Sequence, residues 1–297
     1  MGYRILEKRE LAPGIKLFRI AAPLVARKVR AGHFVVIRLD EKGERIPLTP
    51  LEADPEEGTV TLVVQEVGKT TRQLGEMDVG EELANFVGPL GNPFPVRKYG
   101  RVIVVGGGVG TVPAYHIAKE LKEENGLIAI IGARTKELLI LEEEFHGISD
   151  ELHITTDDGS YGRKGFVTVV LEELLSRGGA DLVVAIGPVP MMKAVVELTK
   201  RHGVRTLVDL NPIMLDATGM CGCCRVEVGG EIKFACVDGP SFDGWLVDFD
   251  LLSRRLGQYR DQERLALTRY EERSSRSTTS RSASEEAQAR RAQIRFR

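Results

Sequence analysis

Cysteine is missing from this chain except in one window: all four thiols lie between Cys221 and Cys236. Long apolar runs are missing altogether. No window approaches the length a helix needs to cross a bilayer, which argues against membrane insertion, and the opening MGYRILEKRE has no apolar signal core. The cytoplasm is therefore the expected compartment. Clustered thiols can pair in an oxidising setting; without a signal core they are expected to serve metal binding or redox chemistry. A surplus of one charge is missing too. With 41 Lys and Arg against 43 Asp and Glu the net charge is −2, so nothing in the overall balance suggests a nucleic-acid partner. No internal repeat is visible. What remains is a chain of 297 residues, 42% hydrophobic and 28% charged, an ordinary globular composition with room for two or three cores.

Apolar spacing divides the chain. Residues 1–97 carry short runs broken by turns, among them 14–20, 34–39 and 59–64, the pattern of a small antiparallel barrel or sandwich. The turn-dense stretch Gly88-Pro89-Leu90-Gly91-Asn92-Pro93-Phe94-Pro95 marks its expected end. Residues 98–206 change character. Continuous apolar strands at 101–105, 127–131 and 182–186 alternate with helices expected at 112–124 and 191–202, which predicts a parallel α/β sheet. Residues 207–262 form a loop-rich unit around the cysteines. From 263 to 297 the chain includes the low-complexity run 274–282, and disorder is expected. Ten Arg against six acidic residues between Arg260 and Arg297 leave the rest of the chain acidic. A solvated extension is the plainer reading of this tail, a dedicated interaction arm the other.

Several loops carry chemistry. Gly106-Gly107-Gly108-Val109-Gly110-Thr111 follows an apolar strand and opens a helix. Glycines there let backbone approach a pyrophosphate, and the helix N-terminus supplies amides and partial positive charge. The order is looser than G-x-G-x-x-G, and Arg134 rather than an acidic ribose partner stands after the second strand. A tight strand–helix turn without a ligand is the alternative. Gly187-Pro188 also follows a buried strand, at the end of a sheet where ligands bind. In the first unit, Arg45-Ile46-Pro47-Leu48-Thr49 and Gly68-Lys69-Thr70-Thr71 stand out. Arginine is a natural fork for a diphosphate, and the amides of the second turn can hold another phosphate edge. On physics alone, a surface arginine and an ordinary turn are the better reading of both.

Asp216, Cys221, Cys224 and Cys236 read D-x4-C-x2-C-x11-C, with Cys223 as an extra thiol. Soft thiolates at this density select zinc or an iron–sulfur cluster. The C-x2-C spacing lets Cys221 and Cys224 reach one metal centre. Cys236 returns on a hairpin expected from 225–228 and 232–235, with Gly229-Gly230 as its turn. Asp216 can supply a fourth, oxygen ligand; Cys223 is expected to point away. A structural zinc site and four merely buried thiols are the alternatives, the latter opposed by the glycine-rich Gly219-Met220-Cys221-Gly222.

Taken in order, RIPLT at 45–49, GKTT at 68–71, VVGGGVGTVP at 104–113, TDDGSYGRKGFVT at 156–168, GPVPMMK at 187–193, DLNPIMLDATGMCGCC at 209–224 and CVDGPSFDGWLVDFD at 236–250 resemble the ferredoxin–NADP reductase superfamily. Within it the chain is similar to the electron-transfer subunits of dihydroorotate dehydrogenase. It is also similar to the small (alpha) subunits of NADH-dependent reduced ferredoxin:NADP oxidoreductase, also described as sulfide dehydrogenase. The resemblance covers about residues 3–262. It implies an N-terminal antiparallel FAD-binding barrel (1–97), a parallel α/β NAD(P)-binding domain (98–206) and a small 2Fe–2S domain (207–262). Arg45 would meet the FAD pyrophosphate. Pro47, Leu48 and Thr49 would line the isoalloxazine, with Thr49 as a residue positioning N5, and Gly68, Lys69, Thr70 and Thr71 would contact the flavin phosphates. NAD(H) would lie at Gly106, Gly107, Gly108, Gly110 and Thr111, with Asp157, Asp158, Gly187 and Pro188 nearby; NADH rather than NADPH is the cofactor by resemblance.

The cluster ligands implied are Asp216, Cys221, Cys224 and Cys236. The aspartate stands where the dihydroorotate branch has its first cysteine, a substitution shared with the ferredoxin:NADP oxidoreductase small subunits. Cys223 occupies a position that is usually a small residue, and the Ser/Arg tail has no counterpart. The implied activity is that of an oxidoreductase subunit passing electrons from NADH through FAD and a 2Fe–2S cluster. They would leave to a larger flavoprotein subunit with 4Fe–4S clusters that handles NADP(H) and ferredoxin, in a pair able to bifurcate electrons. Other readings are an electron-transfer subunit of dihydroorotate dehydrogenase, against which Asp216 argues, or of a hydrogenase. From another class comes a non-catalytic zinc-ribbon binding module.

Overall fold

Alternating apolar residues make the first unit antiparallel. In a computed structural model that describes residues 2–273, five strands pair in the order Pro50–Asp54, Thr59–Gln65, Ile15–Ala21, Tyr3–Ala12 and Glu82–Leu83. Three more pair in the order Ile46–Leu48, Phe34–Arg38 and Asn85–Leu90. The two sheets close on Ile5, Phe18, Ile20, Val35, Ile37 and Leu62. All six are fully buried, each contributing about 1.5–3 kcal/mol relative to exposure.

Strand Phe34–Arg38 is covered on both faces. Val35 and Ile37 point into the barrel; Phe34 and Val36 join a different core. Val36 stands opposite Pro47 and Val35 opposite Leu48. Directly opposed residues share a face. Pro47 therefore lies on the outer face with Val36, and alternation continues that stripe to Arg45 and Thr49.

The second unit is a seven-stranded sheet in the order Arg163–Lys164, Glu151–Thr156, Gly126–Ala133, Arg101–Gly107, Leu182–Ile186, Thr206–Asp209 and Ser241–Asp243, parallel except for the last. The chain moves outward from Arg101–Gly107 in one direction, then returns to its other side at Leu182–Ile186. The order thus reverses between those two strands, where open α/β sheets bind ligands. Each face of the sheet has its own core. Val102 and Val104 meet helix Thr111–Leu121 and the barrel residues Leu17 and Val63. Ile103 and Val105 meet helices Val167–Ser176 and Val189–His202 and the cysteine unit. Helix Val189–His202 begins two residues before the expected start, because Pro190 in the first turn gives up no helical hydrogen bond.

Two expectations differ from the structure. The boundary at 206 falls inside the sheet: Thr206–Asp209 is a strand, and Ser241–Asp243 from the cysteine unit pairs with it, Val208 opposite Phe242. An uncovered edge would expose unpaired amides, so the cysteine unit is stitched to the sheet. Disorder expected from 263 gives way to a helix over 260–273. That stretch is rich in strong helix formers. It is also held on the barrel helix Lys69–Glu76: the Tyr270 hydroxyl donates to Glu76, and Arg72 pairs with Glu271 at 2.8 Å. The low-complexity run 274–282 lies outside the described residues. Among the described residues, no helix is long and apolar enough to cross a membrane.

The stitch contains a titratable group. Asp209 is buried at the end of its strand, where the Ser241 hydroxyl donates to it. Burial pushes its carboxyl up to about 6, against a smaller downward pull from Ser241. A carboxyl raised on folding contributes stability below its unfolded value and loses it as pH rises through about 6. Asp209→Asn keeps an acceptor for Ser241 without the charge. Its gain over the parent is expected to grow from about pH 4 and to level off at about 3 kcal/mol above pH 7. Urea unfolding of both proteins across that range measures it; a pH-independent difference would contradict it.

Candidate cofactor and cluster sites

The two loops at the reversal of the sheet touch. A Cβ on Gly110 would stand 2.6 Å from both Gly187 Cα and Ile186 O, so only bare backbone fits there. Gly106 is closed in the same way by Thr111 Cα at 2.9 Å, and Gly107 by the Met191 side chain. Gly108 differs. Its φ is +56°, and nothing lies within 4 Å of where a side chain would start, so its peptide is open to a ligand. Buried Thr111 then opens helix Thr111–Leu121, its own amide donating to the Gly108 and Val109 carbonyls. Open backbone at a helix N-terminus is a fit for a diphosphate. Pro188 is exposed at the start of helix Val189–His202.

Asp157 and Asp158 are not brought to this cradle. They follow Glu151–Thr156, two strands from Arg101–Gly107, roughly 10 Å away. The Ser160 amide and hydroxyl donate to Asp158 at 2.9 and 2.7 Å, which holds its carboxyl below the usual range. Asp158 thus closes its own turn. Arg134, exposed, follows the intervening strand.

In the barrel, Gly68 also has open space in place of a side chain and precedes helix Lys69–Glu76. The hydroxyls of this turn are taken up internally. Thr71 Oγ1 accepts from the amides of Gly68 and Val67 at 3.0 and 3.1 Å, and Thr70 donates to Glu44. What the turn offers outward is backbone amide and Lys69. Leu48, half-buried, packs against the barrel core, on the face opposite Pro47.

The four predicted cluster ligands form two pairs. The Cys221 thiol donates to Asp216 at 2.8 Å, and the Cys224 and Cys236 sulfurs lie 3.2 Å apart. Cys221 is exposed, whereas Cys224 and Cys236 are buried; all are free of disulfides. Left-handed backbone at Ala217, Gly219 and Gly222 winds the loop. The hairpin is present as Arg225–Val228 and Glu231–Phe234, with Gly229 and Gly230 both at positive φ, as its tight turn requires. Cys236 follows in helix Ala235–Asp238, its amide 3.5 Å from Cys224 Sγ. Hydrogen bonds from Cys221, and then from Thr218 and Met220, hold Asp216 far below the usual carboxylate range, so it is an ionised donor. Burial, and then the Cys224 sulfur, push the Cys236 thiol up to about 12; a metal there must displace a proton. Among the described residues, no three donors converge on a single ion. Two pairs of two suit a two-iron centre with two ligands per iron.

A joint that sequence reasoning missed connects this loop to the barrel. Asn92 donates from its backbone amide to Gly239 O at 2.7 Å and from its side chain to Val237 O at 2.8 Å. Phe34, Val36 and Leu90 share one apolar core with Cys224 and Cys236. The turn-rich run 88–95, read as a boundary, was the available signal.

Comparison with known proteins agrees with this architecture. An oxidoreductase FAD-binding domain matches residues 3–94, an oxidoreductase NAD-binding domain residues 104–197, and the iron–sulfur cluster binding domain of dihydroorotate dehydrogenase B residues 211–248. The electron transfer subunit homolog of dihydroorotate dehydrogenase B (NAD(+)) from Thermotoga maritima is 50% identical over 267 residues, 90% of this chain and 94% of the relative. The corresponding subunit of Caldanaerobacter subterraneus subsp. tengcongensis is 35% identical over 247 residues, covering 82% and 96%. A chain in the structure of the NADH-dependent reduced ferredoxin-NADP oxidoreductase superposes with a TM-score of 0.86 at 49% identity, covering 91% of this chain and 98% of that one. The chain belongs to the dihydroorotate dehydrogenase B electron-transfer subunit family of ferredoxin–NADP-reductase-like proteins, as an oxidoreductase subunit that uses FAD, NAD(H) and a 2Fe–2S cluster.

Proposed function

We propose that NADH docks on the cradle at Gly106–Thr111 and Gly187, beside FAD seated on the Arg45, Pro47 and Thr49 stripe. In this reading electrons leave through a cluster on Asp216, Cys221, Cys224 and Cys236 to a larger partner subunit. When bound, the flavin accepts hydride and the cluster relays single electrons, which joins two-electron to one-electron chemistry. The protein's part is placement. Arg45 forks onto the diphosphate, and the amides of helix Lys69–Glu76 with Lys69 take its other edge. Pro47 presents an apolar wall, and the Thr49 hydroxyl supplies a polar group for positioning at N5. The open amide of Gly108 and the start of helix Thr111–Leu121 orient the nicotinamide nucleotide, with Asp157, Asp158 and Pro188 farther along the same sheet edge. No side-chain acid or base takes part.

The observation that carries this reading is the shared core of Phe34, Val36, Leu90, Cys224 and Cys236. Together with the Asn92 bonds to Gly239 O and Val237 O, it supports the outer face of the barrel lying against the unit that holds the inner ligand pair. The outward pair suits electron exit. Exposed Cys221 follows Met220, which is 88% exposed, and the same unit leaves Leu215 58% and Val237 47% exposed. Apolar residues grouped at a surface favour a protein acceptor. A larger flavoprotein with 4Fe–4S clusters, serving NADP(H) and ferredoxin, is the partner favoured by Asp216 and by the likeness to the ferredoxin-NADP oxidoreductase chain. A dihydroorotate dehydrogenase or hydrogenase partner is the second reading, favoured by the names of the relatives. Protein purified without oxygen is expected to be brown-yellow, to hold flavin and about two irons per chain, and to bleach with NADH. The larger subunit that copurifies decides between the partners; a colourless zinc protein would refute both.

A further inference from the structure

We infer that Arg255 is a positioning residue for the cluster loop, clamping the Cys223–Cys224 peptide and holding a permanent positive charge beside the ligands. The inference rests on the proposed ligand set. Arg255 Nη2 donates to the Cys223 carbonyl at 2.9 Å. The donor is fixed by a packed helix. Helix Phe249–Leu256 is capped by Asp248, which accepts from the Leu251 amide at 2.8 Å. It buries Phe249 and Leu252 in the same core as Cys224 and Cys236. Leu252 and Arg255, three residues apart, lie on one side of the helix, so the guanidinium is aimed by its own buried anchor.

The acceptor sits on the least constrained part of the unit. The loop from Asp216 to Cys224 uses left-handed backbone three times and has no strand or helix of its own. The Cys223 oxygen and the Cys224 amide belong to one planar peptide. Holding the oxygen therefore fixes the plane from which the Cys224 side chain departs. Cys224 is held on its far side as well, where its carbonyl accepts from the Ala235 amide at 3.1 Å; Arg255 supplies the tie on the near side, through Cys223.

Charge adds a second consequence. Arginine stays protonated at any working pH. A two-iron centre held by three thiolates and a carboxylate is an anion, and reduction makes it more negative. A nearby guanidinium favours the reduced form, so its loss lowers the reduction potential. The guanidinium is held one peptide away from the buried ligand Cys224. Arg225 is exposed, so water screens it more than the half-buried Arg255.

The test uses the full chain loaded with FAD and iron, with an EPR-monitored redox titration and the rate of iron loss to a chelator. Arg255→Gln keeps a donor without the charge, Arg255→Lys keeps the charge without the fork, and Arg255→Met keeps only the apolar stem. Gln and Met are expected to shift the one-electron reduction equilibrium about tenfold toward the oxidised form, a drop of about 59 mV; Lys is expected to shift it much less. Met, which also loses the clamp, is expected to alter the reduced-state EPR line shape and to release iron several times faster. NADH affinity and flavin content stay at parental values. Parental potential, line shape and iron release in both Gln and Met overturn the proposal, and an equal drop in Lys overturns its charge component. A parent protein with no reduced-iron signal refutes the ligand set instead, so the two failures are read separately.

Discussion

Cys236→Ser leaves the chain with its flavin and almost no iron. The Cys236 sulfur lies 3.2 Å from that of Cys224 in the buried half of the ligand set. A serine oxygen is a hard, short donor and is a poor substitute for thiolate on iron. The rest of the fold has no reason to follow. The hairpin keeps its four cross-strand pairs, and Ser241–Asp243 still pairs with Thr206–Asp209. Serine is close to cysteine in size, so the core that Cys236 shares with Phe34, Val36 and Leu90 stays filled, and flavin content stays at the parental level. Iron per flavin is expected to fall at least about tenfold. Flavin bleaching by NADH persists, and delivery to a one-electron protein acceptor falls on the order of a hundredfold, because the exit path is gone while the entry path is intact. Full iron content in this variant would falsify the assignment of Cys236.

What was legible in the sequence follows from the range of each signal. The hairpin at 225–234 carries its whole message locally: alternating apolar residues around Gly229-Gly230. The parallel strands at 101–107, 126–133 and 182–186 are legible because both of their faces are buried, which writes continuous apolar runs. Ser241–Asp243 is not legible. Three residues have no period, and the strand exists only because Thr206–Asp209 has an edge to cover. The helix at 260–273 is masked by its polar composition; its apolar contacts are few, and its polar ties to Arg72 and Glu76 are made across the whole chain. Leu48 illustrates a subtler limit. Alternation predicts that Pro47 and Leu48 take opposite faces, but only the pairing with Val36 and Val35 tells which face is the barrel interior. Arg255 lies on a helix with ordinary amphipathic spacing, and nothing in that spacing marks it as the arginine that donates to the Cys223 carbonyl.

Glycine is the residue whose meaning sequence hides most, and Gly110 carries the second large effect. Gly110→Ala is expected to slow NADH-driven flavin reduction about a hundredfold while flavin and iron content stay unchanged. The added methyl would stand 2.6 Å from Gly187 Cα and Ile186 O. Both neighbours are backbone of the adjacent strand and loop, so neither can rotate away. The loops must part by roughly 1 Å, a misplacement able to cost that factor in a reaction that depends on alignment. Overpacking is also expected to cost about 1–3 kcal/mol of stability. Gly108→Ala provides the contrast. Nothing lies within 4 Å of its Cβ, but its φ of +56° disfavours a side chain, by roughly 1–2 kcal/mol. Its methyl enters only the space left for a ligand, so weaker NADH binding is expected with the two loops still in contact. Reduction by dithionite bypasses both substitutions and should proceed at the parental rate in each. If Gly110→Ala is reduced by NADH as fast as the parent, the nucleotide does not use the carboxyl edge of the sheet, and the path from nicotinamide to flavin must begin elsewhere.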